Sequence, residues 1–332
     1  MYHPAATMAS PPLYIIGAGA VGLHLAARLS AVTPVTVVAR GPRVGRLLRD
    51  GFELSGAEQG HFKVPVVDIS APLPASADLL LAVKATQLAD TLAQIKPGPQ
   101  HTLGLCQNGL GIAALARMHA PAAARVRVGC WLGAGLATPI NVRVAGVLQL
   151  ELAADDPAAL RTRDRWQRLL AAAGYPVRVV PSVAACEWRK SLWSLAVCGL
   201  CASLGERNGA ILDSPPLLAL ARELMQEARS VAAAEGVTLG DDDLERVFTA
   251  TRTSRENRNV MLQDIARGET TEMYFLNLAV ARLAVKHGLF APVNAVVARL
   301  VEHCERRGPV RPANHQAPQA PAPADGLPAA DE

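Results

Sequence analysis

Aromatic residues are scarce in this 332-residue chain: phenylalanine, tryptophan and tyrosine together make up 4%. A protein that stacks single-stranded nucleic acid needs platforms of such rings, so that class is excluded. Charge of one sign is scarce as well. The 33 basic residues exceed the 29 acidic ones by four, too few for the basic stripe of a nucleic-acid binder. No uncharged apolar run reaches the roughly 18 residues that a membrane span requires. The opening MYHPAATMASPP has neither the charged start nor the long apolar core of a secretory signal, so a cytoplasmic protein is expected. In that compartment the six cysteines are expected as free thiols. Cys198 and Cys201 form a C-x-x-C pair, but no second pair or histidine cluster accompanies them, and no metal is expected.

What the chain does have is apolar material. Half of its residues are hydrophobic, enough for large cores. From Leu13, the stretch LYIIGAGAVGLHLAARLSAVTPVTVVAR reads as strand, glycine turn, helix, strand. Further apolar runs at Ala77–Val83, His101–Leu105 and Arg125–Cys130 are each followed by turn or helix signals. Val142–Leu152 and Val177–Val180 read as later strands. Such alternation predicts a doubly wound α/β sheet with helices on both faces. Near Ser182 the texture changes to helical period. The predicted helices are Ser182–Leu204, Pro215–Glu235, Asp241–Thr251, Asn259–Ala266, Thr271–Lys286 and Pro292–Arg306. The expected organisation is a flexible arm (1–11), a dinucleotide-binding domain (12–181), an all-helical domain (182–307) and a disordered Pro/Ala-rich tail (308–332).

Gly17-Ala18-Gly19-Ala20-Val21-Gly22 is the pattern G-x-G-x-x-G between a predicted strand and a predicted helix. Its first glycine permits a tight turn, its second a close approach to pyrophosphate, and its third close packing of helix on strand. The helix start adds unpaired N–H groups and a positive dipole end. An acid at the end of the second strand would bind a ribose hydroxyl and favour NAD. Here Arg40 stands there, followed by Arg43, and a guanidinium suits the 2′-phosphate of NADP(H). Lys84 closes another strand and is expected to face the cofactor crevice. Asn108 follows the next strand. Its amide suits a ribose or a substrate, although Asn108-Gly109 also reads as a simple turn.

Taken in order, these motifs resemble the ketopantoate reductase (2-dehydropantoate 2-reductase) family. The resemblance rests on GAGAVG at 17–22, Arg40, VKATQ at 83–87 and QNGLG at 107–111. The second half adds WRK at 188–190, NG at 208–209 and MLQDIARGETTE at 261–272. It implies a Rossmann-type N-terminal domain, a helical C-terminal domain and a cleft between them in which NADPH reduces a 2-keto acid. It further implies that Lys190 is the general acid and that Asn108 is shared by cofactor and substrate. Asn208 and Asn257 would bind substrate. Glu272 and the backbone at Ala134 would contact the cofactor. Ser194 and Cys198 stand where the family commonly has asparagines, and Val260 where it has a serine. Those departures favour a more apolar 2-keto acid as the alternative substrate. A non-catalytic NADPH-binding regulator is the alternative from another class. The partners expected are a small 2-keto acid, no nucleic acid and no membrane, in a monomer or homodimer. Lys190, Ser194, Cys198 and Cys201 recur at helical spacing, and a lysine on so apolar a helix is expected to have a lowered pKa.

Overall fold

A computed structural model describes residues 11–307; the arm up to residue 10 and the tail predicted at 308–332 lie outside the described residues. The sheet is built from β1 (Leu13–Ile16), β2 (Val35–Ala39), β3 (Phe52–Gly56), β4 (Gly60–Phe62), β5 (Val66–Asp68), β6 (Ala77–Leu81), β7 (His101–Leu105), β8 (Ala124–Thr138), β9 (Asn141–Ala153) and β10 (Val177–Val179). Their order is β4-β3-β9-β8-β7-β6-β1-β2-β5, with β10 also pairing β9. β1, β2, β5, β6, β7 and β8 run parallel, while β8 and β9 form a long antiparallel pair. The helices of this half are α1 (Ala20–Leu29), α2 (Pro42–Asp50), α3 (Leu88–Ile95), α4 (Ile112–His119) and α5 (Pro157–Ala172). One apolar core gathers Ile15, Leu23 and Trp166 on one face of the sheet; another gathers Ile16, Leu88 and Ile112 on the other. Both faces are therefore covered, which explains why the central strands are nearly continuous in apolar residues.

After β10 the chain is helical: α6 (Val183–Trp193), α7 (Gly199–Leu204), α8 (Ala210–Asp213), α9 (Pro215–Ala234), α10 (Asp241–Thr253), α11 (Val260–Arg267), α12 (Asn277–Lys286) and α13 (Pro292–Arg307). They enclose a separate core around Leu195, Leu224, Met225 and Val280.

Three differences from the sequence reading matter. Arg125–Cys130 is only the start of a 15-residue strand, because β9 gives the rest of β8 an antiparallel partner. The helix read as Ser182–Leu204 contains a π turn over Ser194–Cys198. Asn277 Nδ2 donates to the Leu195 carbonyl inside that turn at 3.0 Å, an inserted side-chain bond of the kind that disturbs a helical ladder. The helix read as Thr271–Lys286 breaks at Leu276. There Phe275 turns toward the sheet half: its carbonyl accepts from Leu110 N–H at 2.8 Å. Leu110 in turn belongs to the helical core, while Phe275 packs against the sheet core.

Candidate active site at the domain boundary

The carboxyl ends of β2, β1, β6 and β7 lie side by side, and the predicted glycine turn, Arg40, Lys84 and Asn108 follow them directly. Ligands of doubly wound sheets bind at such ends. A β-carbon on Gly17 would lie 2.9 Å from Val83, and one on Gly22 would lie 1.9 Å from the Gly17 carbonyl oxygen. Neither position admits a side chain. At Gly19 the nearest such neighbour is the Ala82 carbonyl at 3.8 Å, so the turn is open on that side. α1 then begins at Ala20 with no capping side chain and no acid in its first turn. Unpaired N–H groups at a positive dipole end, flanked by the small residues Ala18 and Ala20 and by Val21, fit the pyrophosphate of a dinucleotide.

Arg43 Nη1 donates to the Ala18 carbonyl at 2.9 Å, and exposed Arg40 donates from Nη2 to Thr91 Oγ1 at 2.9 Å. Asp68, at the end of neighbouring β5, accepts from the N–H and hydroxyl of Ser70. The end of β2 thus carries two guanidiniums, with the Asp68 carboxylate beside them on β5.

Glu272 joins the halves. It is buried, and it accepts from Ala85 N–H at 2.9 Å and from Asn108 Nδ2 at 3.4 Å. Burial raises its pKa against those two bonds. Lys84 follows β6 and bonds acids of the helical half across the boundary. Its Nζ lies 2.7 Å from Asp264 Oδ1 and 2.6 Å from Glu269 Oε2, both supplied by the helical half. Burial opposes the charged lysine, but those bonds outweigh it and raise its pKa. The same contact holds Glu269 below the usual carboxylate range. Arg267 adds a second cation to Asp264 at 3.2 Å.

Lys190 is in the last turn of α6. Its side chain is half-buried, and among the described residues no carboxylate lies within 4.0 Å of its Nζ. Its ammonium stands 5.4 Å from the centre of the Trp131 ring on β8. Desolvation lowers its pKa; the neighbouring thiols of Cys130 and Cys198 and the Glu272 carboxylate oppose that only in part.

One turn before Lys190, Glu187 fixes α6 to the sheet half. Its carboxylate accepts from Gly111 N–H at 2.8 Å and Ala113 N–H at 2.9 Å, at the start of α4. Fully buried Arg127 lies 3.4 Å away and donates to the Leu105 and Gln107 carbonyls. The anchored α4 directly follows the Asn108 turn. Glu187 therefore sets where Lys190 stands relative to Asn108. Glu187 has no role in the sequence reading, because nothing local reveals a partner in another domain.

The remaining predicted residues fall into two groups. Ser194 and Cys198 are buried in the π turn along the same helix as Lys190, and burial keeps the Cys198 thiol neutral. Ala134, half-buried, pairs with Val144 across β8 and β9. Asn208 is not offered to a ligand. It is buried, its Nδ2 donates to Ser254 O at 3.1 Å, and its Oδ1 accepts from Asn259 Nδ2 at 3.3 Å. Asn257 is exposed, and its carbonyl accepts from Asn208 N–H at 3.1 Å. These asparagines hold the loop before α8 against the end of α10. A cavity of about 840 Å³ beside that loop is lined by Arg207, Asp213, Arg255 and Glu256, whose charges pair with one another. Its edge at Leu204 lies about 21 Å along the helix from Lys190, at 1.5 Å per residue.

Residues 13–156 match the family model described as ketopantoate reductase PanE/ApbA, and residues 182–305 match its C-terminal model. The chain belongs to the ketopantoate reductase family. The 2-dehydropantoate 2-reductase of Pyrococcus horikoshii is 27% identical over 304 residues, covering 89% of this chain and 98% of that relative. That of Mycobacterium tuberculosis is 29% identical over 293 residues, covering 86% and 95%. Among solved structures, a PanE/ApbA family ketopantoate reductase from Ralstonia eutropha JMP134 superposes with a TM-score of 0.78 at 27% identity over 89% of this chain and 99% of that one. D-mandelate dehydrogenase, solved with NADH and anilino(oxo)acetate, superposes at 0.82 with 21% identity, again over 89% and 99%. The second likeness shows a shared fold.

Proposed function

We propose that this chain reduces a 2-keto acid to a 2-hydroxy acid with NADPH, with 2-dehydropantoate as the substrate and pantoate as the product. The observation that carries the reading is Lys190: a half-buried ammonium at the domain boundary with no carboxylate partner among the described residues. The names of the curated relatives supply the substrate.

When bound, the nicotinamide supplies a hydride to the keto carbon. Lys190 gives its Nζ proton to the keto oxygen, and its charge stabilises the alkoxide as that charge develops. A lowered pKa eases that donation near neutral pH. The Gly17–Gly22 turn holds the pyrophosphate, and Arg40 takes the 2′-phosphate. Asn108, bonded to Glu272 at a loose 3.4 Å, orients cofactor and substrate, with Glu272 and the Ala134 backbone completing the cofactor wall.

A more apolar 2-keto acid is the second reading. Ser194 and Cys198 place one hydroxyl and one neutral thiol on the lysine's helix, where larger polar groups would grip a hydroxylated substrate. NADPH oxidation across a panel of 2-dehydropantoate, branched and aromatic 2-keto acids separates the two. The fastest substrate identifies the pocket, and no turnover with any member overturns both in favour of an NADPH-binding regulator. Arg40→Asp should weaken NADPH by about 10- to 100-fold, the worth of a charged hydrogen bond, and leave NADH nearly unchanged. Equal losses would refute the 2′-phosphate assignment.

A further inference from the structure

A second cation stands beside Lys190. The buried Trp131 ring has Lys190 Nζ 5.4 Å from its centre and Arg246 Cζ 5.6 Å from it. The ring comes from β8, and the cations come from α6 and α10. Arg246 donates from Nη1 to Glu151 Oε1 at 3.2 Å. Glu151 is fully buried and also accepts from Gln149 Nε2 at 2.8 Å. The Nε and Nη2 groups of Arg246 make no hydrogen bond among the described residues, and its side chain is 28% exposed. One edge of the guanidinium is therefore committed to the protein while donors on the rest remain reachable.

Arg246 pairs with the buried carboxylate of Glu151. The carboxylate that acts on Lys190 is Glu272, which already accepts from Ala85 N–H and Asn108 Nδ2. Arg127 pairs with Glu187 and Arg189 with Asp243. Neither the Lys190 ammonium nor the outer edge of Arg246 has a bonded anion among the described residues. A 2-keto acid brings one negative charge, and its carboxylate is on the carbon next to the keto group. Both cations border the one Trp131 ring, and a guanidinium edge suits a carboxylate better than an ammonium does.

We propose that Arg246 binds the carboxylate of the keto acid while Lys190 faces the neighbouring keto oxygen. This rests on the reading of Lys190 as proton donor. It also explains how the pocket keeps a grip on a 2-keto acid when Ser194, Cys198 and Val260 offer little. The class recognised is a 2-oxocarboxylate monoanion, and the discriminating feature is the carboxylate rather than the rest of the molecule.

The test compares each 2-keto acid with its methyl ester, which keeps the carbonyl and loses the charge. Arg246→Gln is made alone and together with Glu151→Gln, so that no buried carboxylate is left unpaired. Both are checked for an unchanged thermal transition and NADPH affinity. The expected result is a fall in kcat/KM of about 10- to 100-fold for the acid, as for other hydrogen bonds to charge, carried mainly by KM. The ester should change little, and Arg246→Lys should recover part of the loss. Equal losses for acid and ester, or no loss for either, would overturn the assignment and leave Arg246 as a partner of Glu151 alone. Calorimetric binding of oxamate, which mimics a 2-keto acid and is not reduced, keeps the two readings apart. An unchanged oxamate Kd in a folded Arg246→Gln protein overturns the carboxylate site whatever the turnover. A weakened oxamate Kd with no turnover of any keto acid by the wild type would keep the site and sink the reductase.

Discussion

Two lysines stand at the domain boundary in opposite surroundings. Lys84 is held between Asp264 and Glu269, with Arg267 behind them. Lys190 has no carboxylate within bonding reach among the described residues, and it shares the Trp131 ring with the cation of Arg246. Burial acts against both ammonium groups. In Lys84 the carboxylates outweigh it and the pKa rises; in Lys190 nothing does and the pKa falls. The same side chain thus becomes a fastener on one part of the boundary and a potential acid on another. The difference lies in the partners and not in the residue type.

The largest expected effect breaks the Lys190 side of that contrast. Lys190→Ala should lower kcat by about 10²- to 10⁴-fold, the usual worth of a positioned general acid, with little change in NADPH affinity measured by fluorescence titration. In the wild type, kcat/KM should fall as pH rises through the lowered lysine pKa, below the ordinary lysine range. Near-normal turnover in the variant, or an unshifted alkaline limb, would remove the assigned role.

Glu187→Ala comes next. It removes two N–H acceptors at α4 and leaves Arg127 buried without its carboxylate. The expected loss of stability is about 3 kcal/mol, as for other broken buried pairs, read by urea denaturation. Because Glu187 holds α6 relative to Asn108, kcat should also fall while the pH limb stays where Lys190 puts it. Loss of stability with unchanged kcat would make Glu187 structural only.

The smallest effect sharpens the Lys84 side. Lys84→Met should destabilise by about 1–3 kcal/mol, the range for hydrogen bonds to charged groups. Its pH dependence has a definite sign. The folded-state pKa of Lys84 is raised, so its contribution is complete below the ordinary lysine pKa of about 10.4 and is lost as pH climbs through the higher folded value. Glu269 is shifted down, so its part is present above the ordinary glutamate pKa of about 4.3 and fades as pH drops through the lower folded value. The stability gap between wild type and variant should therefore be flat near neutrality and close at strongly alkaline pH. A gap that persists there would mean that the contact does not depend on the lysine charge.

Much of this molecule was legible from residue order. The glycine turn declares itself because G-x-G-x-x-G must bend sharply between an apolar strand and an apolar helix. The helical half showed through its periodicity, and Asp241–Thr251 was read within two residues of the observed Asp241–Thr253. β3, β4 and β5 were missed. They are 3–5 residues long and partly exposed, and they exist because neighbours pair with them. Asn208 looked like a ligand-binding amide, yet its bonds go to Ser254 and Asn259. The Thr271–Lys286 helix broke because Glu272 and Phe275 turn toward the other half, a demand its own periodicity does not encode.

The order of residues alone determined which segments become strand, turn or helix and where a dinucleotide could rest, since those outcomes depend on backbone freedom and apolar spacing within a few residues. Only the tertiary structure decided which charges are spent and which are kept. Lys84 meets acids 180 and 185 positions further along the chain, while Lys190 meets none among the described residues. A charge takes its character from whatever folding brings within a few ångströms, and that distance is not written in the local sequence.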